Sequence, residues 1–185
     1  MTAVPPGPPD ASRKANCVVV MLGSNIDPER NLPAAVRELS SLGRVLAVSS
    51  VWQTAAIGDT NQVDFCNAAV LLEPTSEPSE LLAQLHAIES RLGRVRDPRN
   101  KNAARTIDLD LAIVPGPAGT IAGKTFPDPE IAERVFLAVP LEEIWPGFAL
   151  PDGRSIRQVT AFLRERDAKR LGLRRRDDLP LPVPQ

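Results

Sequence analysis

Ala104-Arg105-Thr106-Ile107-Asp108-Leu109-Asp110-Leu111-Ala112-Ile113-Val114 is the stretch on which the fold turns. From Ile107 the residues alternate, with Ile107, Leu109, Leu111 and Ile113 expected on one side and Asp108 and Asp110 on the other. A period of two is the pattern of a strand with one buried face. It sets the two carboxylates about 7 Å apart along the chain on the other face. Carboxylates held that close repel, and one of them takes up a proton unless a cation intervenes. Divalent metal removes the conflict, because Mg2+ prefers hard oxygen ligands and is bound by carboxylates together with substrate phosphates. Arg105 and Thr106 add a cation and a hydroxyl suited to phosphate oxygens. A lone Asp-x-Asp fits a solvated strand face equally well. The residues upstream decide between the two.

Arg94-Val95-Arg96-Asp97-Pro98-Arg99-Asn100-Lys101-Asn102 forms a basic loop leading into this strand. Arg94, Arg96, Arg99, Lys101 and Arg105 ahead of Asp108 and Asp110 supply both halves of a nucleotide-phosphate site. Metal bridges the phosphates to the carboxylates, and arginines neutralise charge that shifts during transfer. Phosphoryl-type transfer needs positioning and electrostatics more than covalent help. The sequence has no Walker-type glycine loop, so a P-loop mode of holding the donor is excluded.

At 185 residues the chain suits one domain with a full core. A net charge of -1 argues against a general nucleic-acid or membrane surface. Cys17 and Cys66 lie in apolar runs and read as buried free thiols. His86 is the only histidine, and there is no Cys/His metal cluster. No long apolar run marks a secretory signal or a membrane span, so a cytoplasmic protein is expected, and separately a monomer.

Outward from the opening stretch, the spacing predicts strand, helix, strand, strand, helix, strand. Cys17 to Leu22 suits a strand buried on both faces. Asp27-Pro28 reads as a cap with proline at the first helical position, and Leu32, Ala35, Val36 and Leu39 follow at helical spacing up to Gly43. Arg44 to Gln53 reads as one long strand and Phe65 to Leu72 as the next. Ser79 to Leu92 is an amphipathic helix stopped by Gly93. This order predicts an α+β fold, a ferredoxin-like βαββαβ antiparallel sheet with both helices on one face and a C-terminal extension. In the extension, Pro129 to Glu133 reads as a short helix, Val135 to Val139 as an added strand and Ser155 to Arg166 as a final helix. Residues 1–16, rich in Pro, are expected to be a disordered tail, 17–166 a single domain and 167–185 a loose tail.

Four stretches carry a resemblance to a known family: Leu22-Gly23-Ser24-Asn25, Ser49-Ser50-Val51-Trp52-Gln53-Thr54, Asp64-Phe65-Cys66-Asn67-Ala68-Ala69-Val70 and Arg105-Thr106-Ile107-Asp108-Leu109-Asp110. With their spacing the chain resembles 6-hydroxymethyl-7,8-dihydropterin pyrophosphokinase over roughly residues 17 to 160. The resemblance implies transfer of pyrophosphate from MgATP to the hydroxymethyl group of a pterin, releasing AMP, with two Mg2+ ions held by Asp108 and Asp110. It implies that Arg94, Arg96, Arg105 and Arg134 lie on the ATP side with Glu89 near the nucleotide, and that Arg94 and Arg105 act on the moving phosphates. It also implies that Thr54 and Asn67 hydrogen-bond the pterin edge while Phe65 and Phe136 flank its ring, a sensible geometry for a flat heterocycle.

Departures fall on the donor side. Asn102-Ala103-Ala104-Arg105 stands where the family usually reads Trp-Gly-Pro-Arg, and Pro127-Asp128-Pro129 stands where it reads Pro-His-Tyr. Asp128 beside a triphosphate would repel it unless a metal or Lys124 intervenes. Two other readings accompany the first. One is a relative using a related pterin or another donor. The other is a non-catalytic ferredoxin-like binding module, since this fold hosts many functions.

Overall fold

The structure, a computed structural model, describes residues 16–56, 63–95 and 103–183. Strand β1 (Val18–Ser24) is buried along its whole apolar run because it is central, flanked antiparallel by β4 (Phe65–Pro74) and β5 (Asp108–Ile113). The neighbours of β4 on its far side are β2 (Gly43–Val48) along one half and β3 (Trp52–Thr54) along the other. The main-sheet order is thus β5, β1, β4 and then β2 with β3, every pair antiparallel. This is the ferredoxin-like arrangement that the strand and helix order predicted.

Helices α1 (Pro28–Leu39) and α2 (Pro78–Arg91) lie on the face made by Val18, Val20, Leu22, Ala68 and Leu111. Both begin on proline, whose missing N–H costs nothing in the first turn. Asp27 precedes α1 in the left-handed region at φ 47° and ψ 51° and makes no side-chain cap; its carbonyl instead accepts from Arg30 and Asn31. Gly43 does not close the helix but opens β2, where an added Cβ would stand 2.2 Å from the Glu73 carbonyl oxygen.

The other face of the sheet is also covered. Helices α3 (Val135–Ile144) and α4 (Ile156–Asp167) bury it with Val19, Met21, Ala69 and Leu71. The added strand expected over Val135 to Val139 is therefore the start of α3: its mostly apolar run packs as a buried helix, which periodicity cannot tell from a buried strand. Between β5 and α3 lie a hairpin of β6 (Gly119–Ile121) and β7 (Lys124–Phe126) and a 3-10 turn, Pro129–Ala132.

Two expected strands are interrupted. Arg44 to Gln53 breaks at Ser49, whose hydroxyl accepts from the Ala69 N–H and whose own N–H donates to the Ala69 carbonyl. The alternation of the opening stretch holds to Leu111 and then fails. A bulge opposite Val19 and Val20 puts an extra residue into β5 and sends Ile113 to the α3–α4 face. Nor are the described residues of the expected loose tail, 167–183, without fixed structure. β8 (Arg174–Arg175) pairs with β3, and Leu179 is buried in the α1–α2 core. Residues 1–15 of the expected disordered tail fall outside the described residues.

Candidate active site

The site forms where β1 ends and β4 and β5 begin. Sheet register aligns Trp52, Asn67, Gly23 and Asp108 in one row across β3, β4, β1 and β5. Side chains in a cross-strand row share a face, here the one that carries Asp110 two residues further along β5. Gly23 contributes no side chain to the row. A Cβ there would lie 3.4 Å from Asn67 Oδ1 and 3.7 Å from Asp108 Cβ, so the glycine keeps the space between them open.

Asn67 is buried, and its Nδ2 has no hydrogen-bond partner among the described residues. A buried amide left in that state costs about 1–3 kcal/mol, which a ligand acceptor would recover. Thr54 is buried on the same face of β3, paired across the ladder with half-buried Phe65. Phe136 sits half-buried in the first turn of α3, the helix that covers this face. Trp52, to which the sequence assigned no role, donates from Nε1 to Glu143 at 2.8 Å, and Arg164 stacks 4.7 Å from its ring centroid.

At the β5 edge the charges are paired. Glu89 on α2 is almost fully buried and accepts from the Leu109 N–H at 2.8 Å, which closes the open edge of the sheet. The same carboxylate binds Arg94, and Arg94 also binds Asp108. Arg105 takes the second oxygen of Asp108 and lies 5.8 Å from the Phe65 ring centroid, so it touches both ends of the site. Burial would raise the Asp108 carboxyl, but the Arg94 and Arg105 guanidiniums outweigh it and hold the group below its ordinary value. Asp110 goes the other way. Burial pushes it up, Lys124 pulls it back, and Asp128 and Asp108 push it up again. Lys124 binds Asp110 and stands 3.5 Å from Asp128, so it is the cation set between the two acids. Four carboxylates thus face three cations.

The backbone of Arg105 and Thr106 is clamped by the Ser24-Asn25 turn. Arg105 N–H donates to Asn25 Oδ1 at 2.7 Å, Asn25 and Ile26 N–H groups donate to the Arg105 carbonyl, and Ser24 Oγ donates to the Thr106 carbonyl at 2.6 Å. In the sequence, Gly23-Ser24-Asn25 belonged to a stretch carrying the family resemblance, with no role given to Ser24 or Asn25. Their polar side chains directly after a buried strand were the available signal. The Thr106 hydroxyl itself is buried and has no hydrogen-bond partner. Arg134 stands at the N-cap position of α3 without a side-chain cap bond, its Nε 3.7 Å from Glu130, one short turn beyond Asp128. Arg96 lies outside the described residues, as do Arg99 and Lys101.

The donor set fits Mg2+ shared with a phosphate ligand. Asp108 and Asp110 offer hard oxygens, and no group of three or more His, Cys, Asp or Glu able to hold a metal occurs among the described residues. A metal here would complete its shell from substrate and water, which is how Mg2+ is usually bound beside phosphates.

A family model described as 7,8-dihydro-6-hydroxymethylpterin-pyrophosphokinase matches residues 19–146. The 2-amino-4-hydroxy-6-hydroxymethyldihydropteridine pyrophosphokinase of Synechocystis sp. is 37% identical over 159 residues, 84% of this chain and 80% of that protein. Its namesake from Pseudomonas aeruginosa is 33% identical over 78% of this chain and 90% of that one. Among solved structures, a crystal structure of an HPPK-DHPS in complex with substrates has a TM-score of 0.62 at 14% identity over 84% of this chain. Plasmodium falciparum HPPK-DHPS with SDX-DHP has a TM-score of 0.64 at 12% identity over the same share. The chain spans less than half of those two solved chains, 44% and 45%. At such identity they establish the fold.

Proposed function

The chain belongs to the 7,8-dihydro-6-hydroxymethylpterin-pyrophosphokinase family, and from that premise we propose how its own residues divide the work. The activity is pyrophosphoryl transfer from MgATP to hydroxymethyldihydropterin in folate biosynthesis. In it the acceptor oxygen joins the β-phosphorus of ATP and AMP leaves.

The observation that carries the reading is the orphaned Asn67 amide, set across the Gly23 gap from Asp108. Two strand spacings, about 10 Å, separate their backbones. That is room for a flat bicycle whose polar edge meets Asn67 and Thr54 and whose hydroxymethyl arm points to the carboxylates. Phe65 and Phe136 cover the ring faces. Asp108 and Asp110 hold two Mg2+ ions, which supply Lewis-acid stabilisation to the phosphate oxygens when bound. The side chains then exchange partners. Arg94, Arg105 and Lys124 neutralise Asp108 and Asp110 in the free protein and turn toward the polyphosphate in the complex. Glu89 keeps Arg94 aimed, and Arg96 and Arg134 add charge on the nucleotide side. Arg105, in reach of both Phe65 and Asp108, stabilises the transferring group. We also propose that the protein acts as a cytoplasmic monomer; no helix among the described residues is long and apolar enough to cross a membrane.

The test is an assay of AMP release with 6-hydroxymethyl-7,8-dihydropterin and MgATP. AMP formed in step with the pterin product, and lost on chelating Mg2+, supports the reading. ADP as the product, or AMP release indifferent to pterin, overturns it in favour of another donor or acceptor.

A further inference from the structure

The family match ends at residue 146, yet the chain continues into a segment that reaches the pocket from behind. Arg176 follows β8 with its side chain only 15% exposed. Its Nη1 donates to Gln53 Oε1 at 2.9 Å and to Cys66 Sγ at 3.7 Å. Its Nη2 donates to Glu29 at 3.0 Å and to Asp178 at 2.7 Å, and its N–H donates to the Val51 carbonyl. Gln53 passes the connection on, donating from Nε2 to Asp64 at 2.8 Å.

Gln53 and Cys66 are cross-strand partners, and they alternate in sequence with Thr54, Phe65 and Asn67. By strand alternation they point to the opposite face of the sheet from those pterin-facing residues. One guanidinium therefore grips the underside of the two strands whose upper side forms the pocket. β3 needs such support, because it has three residues and its outer neighbour β8 has two. Strands this short are weakly held by ladder bonds alone.

We infer that Arg176 is a positioning residue for the pterin pocket, acting through Gln53 and Asp64 to fix β3 against the start of β4. The inference rests on the assignment of Thr54, Phe65 and Asn67 to the pterin. The planar fork suits the task, since it makes several directed bonds at once where a lysine would offer a point charge.

The test is steady-state kinetics on the full chain for Arg176→Ala, Gln53→Ala, their double variant and Asp178→Asn, with Asn67→Ala as the control for the pocket. Arg176→Ala and Gln53→Ala are each expected to raise the pterin KM about tenfold, with kcat and the MgATP KM changed less than about twofold. The double variant should fall well short of the product of the two effects, as for residues acting in one chain of contacts. Asp178→Asn weakens the partner that orients the Arg176 guanidinium but leaves both Arg176 and Gln53 in place, so it should lower the melting temperature and raise the pterin KM by less than Arg176→Ala does. An unchanged pterin KM in Arg176→Ala, or an equal rise in Asp178→Asn, overturns the inference. If Arg176→Ala does not fold, Gln53→Ala carries the same test: an unchanged pterin KM there overturns it. An unchanged pterin KM in Asn67→Ala would instead overturn the pocket assignment, so the two failures are told apart.

Discussion

The proposed acceptor and donor ends of this site lie on either side of the central strand β1, and are built by different physics. On β3 and β4, ladder register puts Thr54, Phe65 and Asn67 on one face, and burial leaves Asn67 Nδ2 without a hydrogen-bond partner among the described residues. At the β5 edge, the charges among the described residues already have partners: Glu89 with Arg94, Asp108 with Arg94 and Arg105, Asp110 with Lys124. A polyphosphate that draws on those cations makes them change partners. On the proposed assignment, a nearly neutral ligand is met by a buried amide awaiting a partner, and a highly charged one by a set of ion pairs that can be rearranged.

The two ends can be separated by mutation. The largest effect is expected for Asp110→Ala, which removes a proposed metal ligand: AMP release should fall on the order of a thousandfold while pterin affinity stays within about twofold. Turnover near the wild-type rate would break the division at its root. Arg105→Ala should lower kcat about a hundredfold with a smaller change in pterin affinity, read by steady-state kinetics beside direct titration. Equal losses in both would make Arg105 a pterin ligand instead. Glu89→Gln keeps an acceptor for the Leu109 N–H but strips the counter-charge from buried Arg94. It should raise the MgATP KM about tenfold without moving the pterin KM.

The smallest effect is electrostatic and lies in the strap behind the pterin edge. Hydrogen bonding to Arg176 holds Asp178 down to about 2 from an ordinary 3.8. A carboxyl so lowered stabilises the fold above its ordinary value and loses that contribution as pH falls through the lowered one. The gap in melting temperature between wild type and Asp178→Asn should therefore stay constant above about pH 4 and close toward pH 2. A gap that widens on acidification would contradict the pairing.

What could be read from the sequence follows the same line. Alternation in Ile107 to Leu111 and helical spacing in α1 and α2 are local signals, and they gave the sheet, its order and one of its helical layers. The resemblance placed Asp108, Asp110, Arg105 and Asn67, and the fold gathers them at one end of the sheet. The mostly apolar run at Val135 carried no periodicity to separate helix from strand, so the second helical layer was partly misread. The β5 bulge depends on β1 across the ladder, and the roles of Asn25, Gln53 and Arg176 depend on partners 80, 11 and 123 residues away. Such long-range bonds leave no local pattern. Lys124 was the exception, because an aspartate expected beside a triphosphate required a cation, and Lys124 stands between Asp128 and Asp110.

The most direct test of the two-ended site is calorimetric titration of 6-hydroxymethyl-7,8-dihydropterin, without nucleotide, into wild type, Asn67→Ala and Asp110→Ala. Asn67→Ala should lose about tenfold in affinity, the value of one buried hydrogen bond of about 1.4 kcal/mol, while Asp110→Ala binds as wild type does. The opposite result, with pterin affinity lost in Asp110→Ala and kept in Asn67→Ala, would contradict the account.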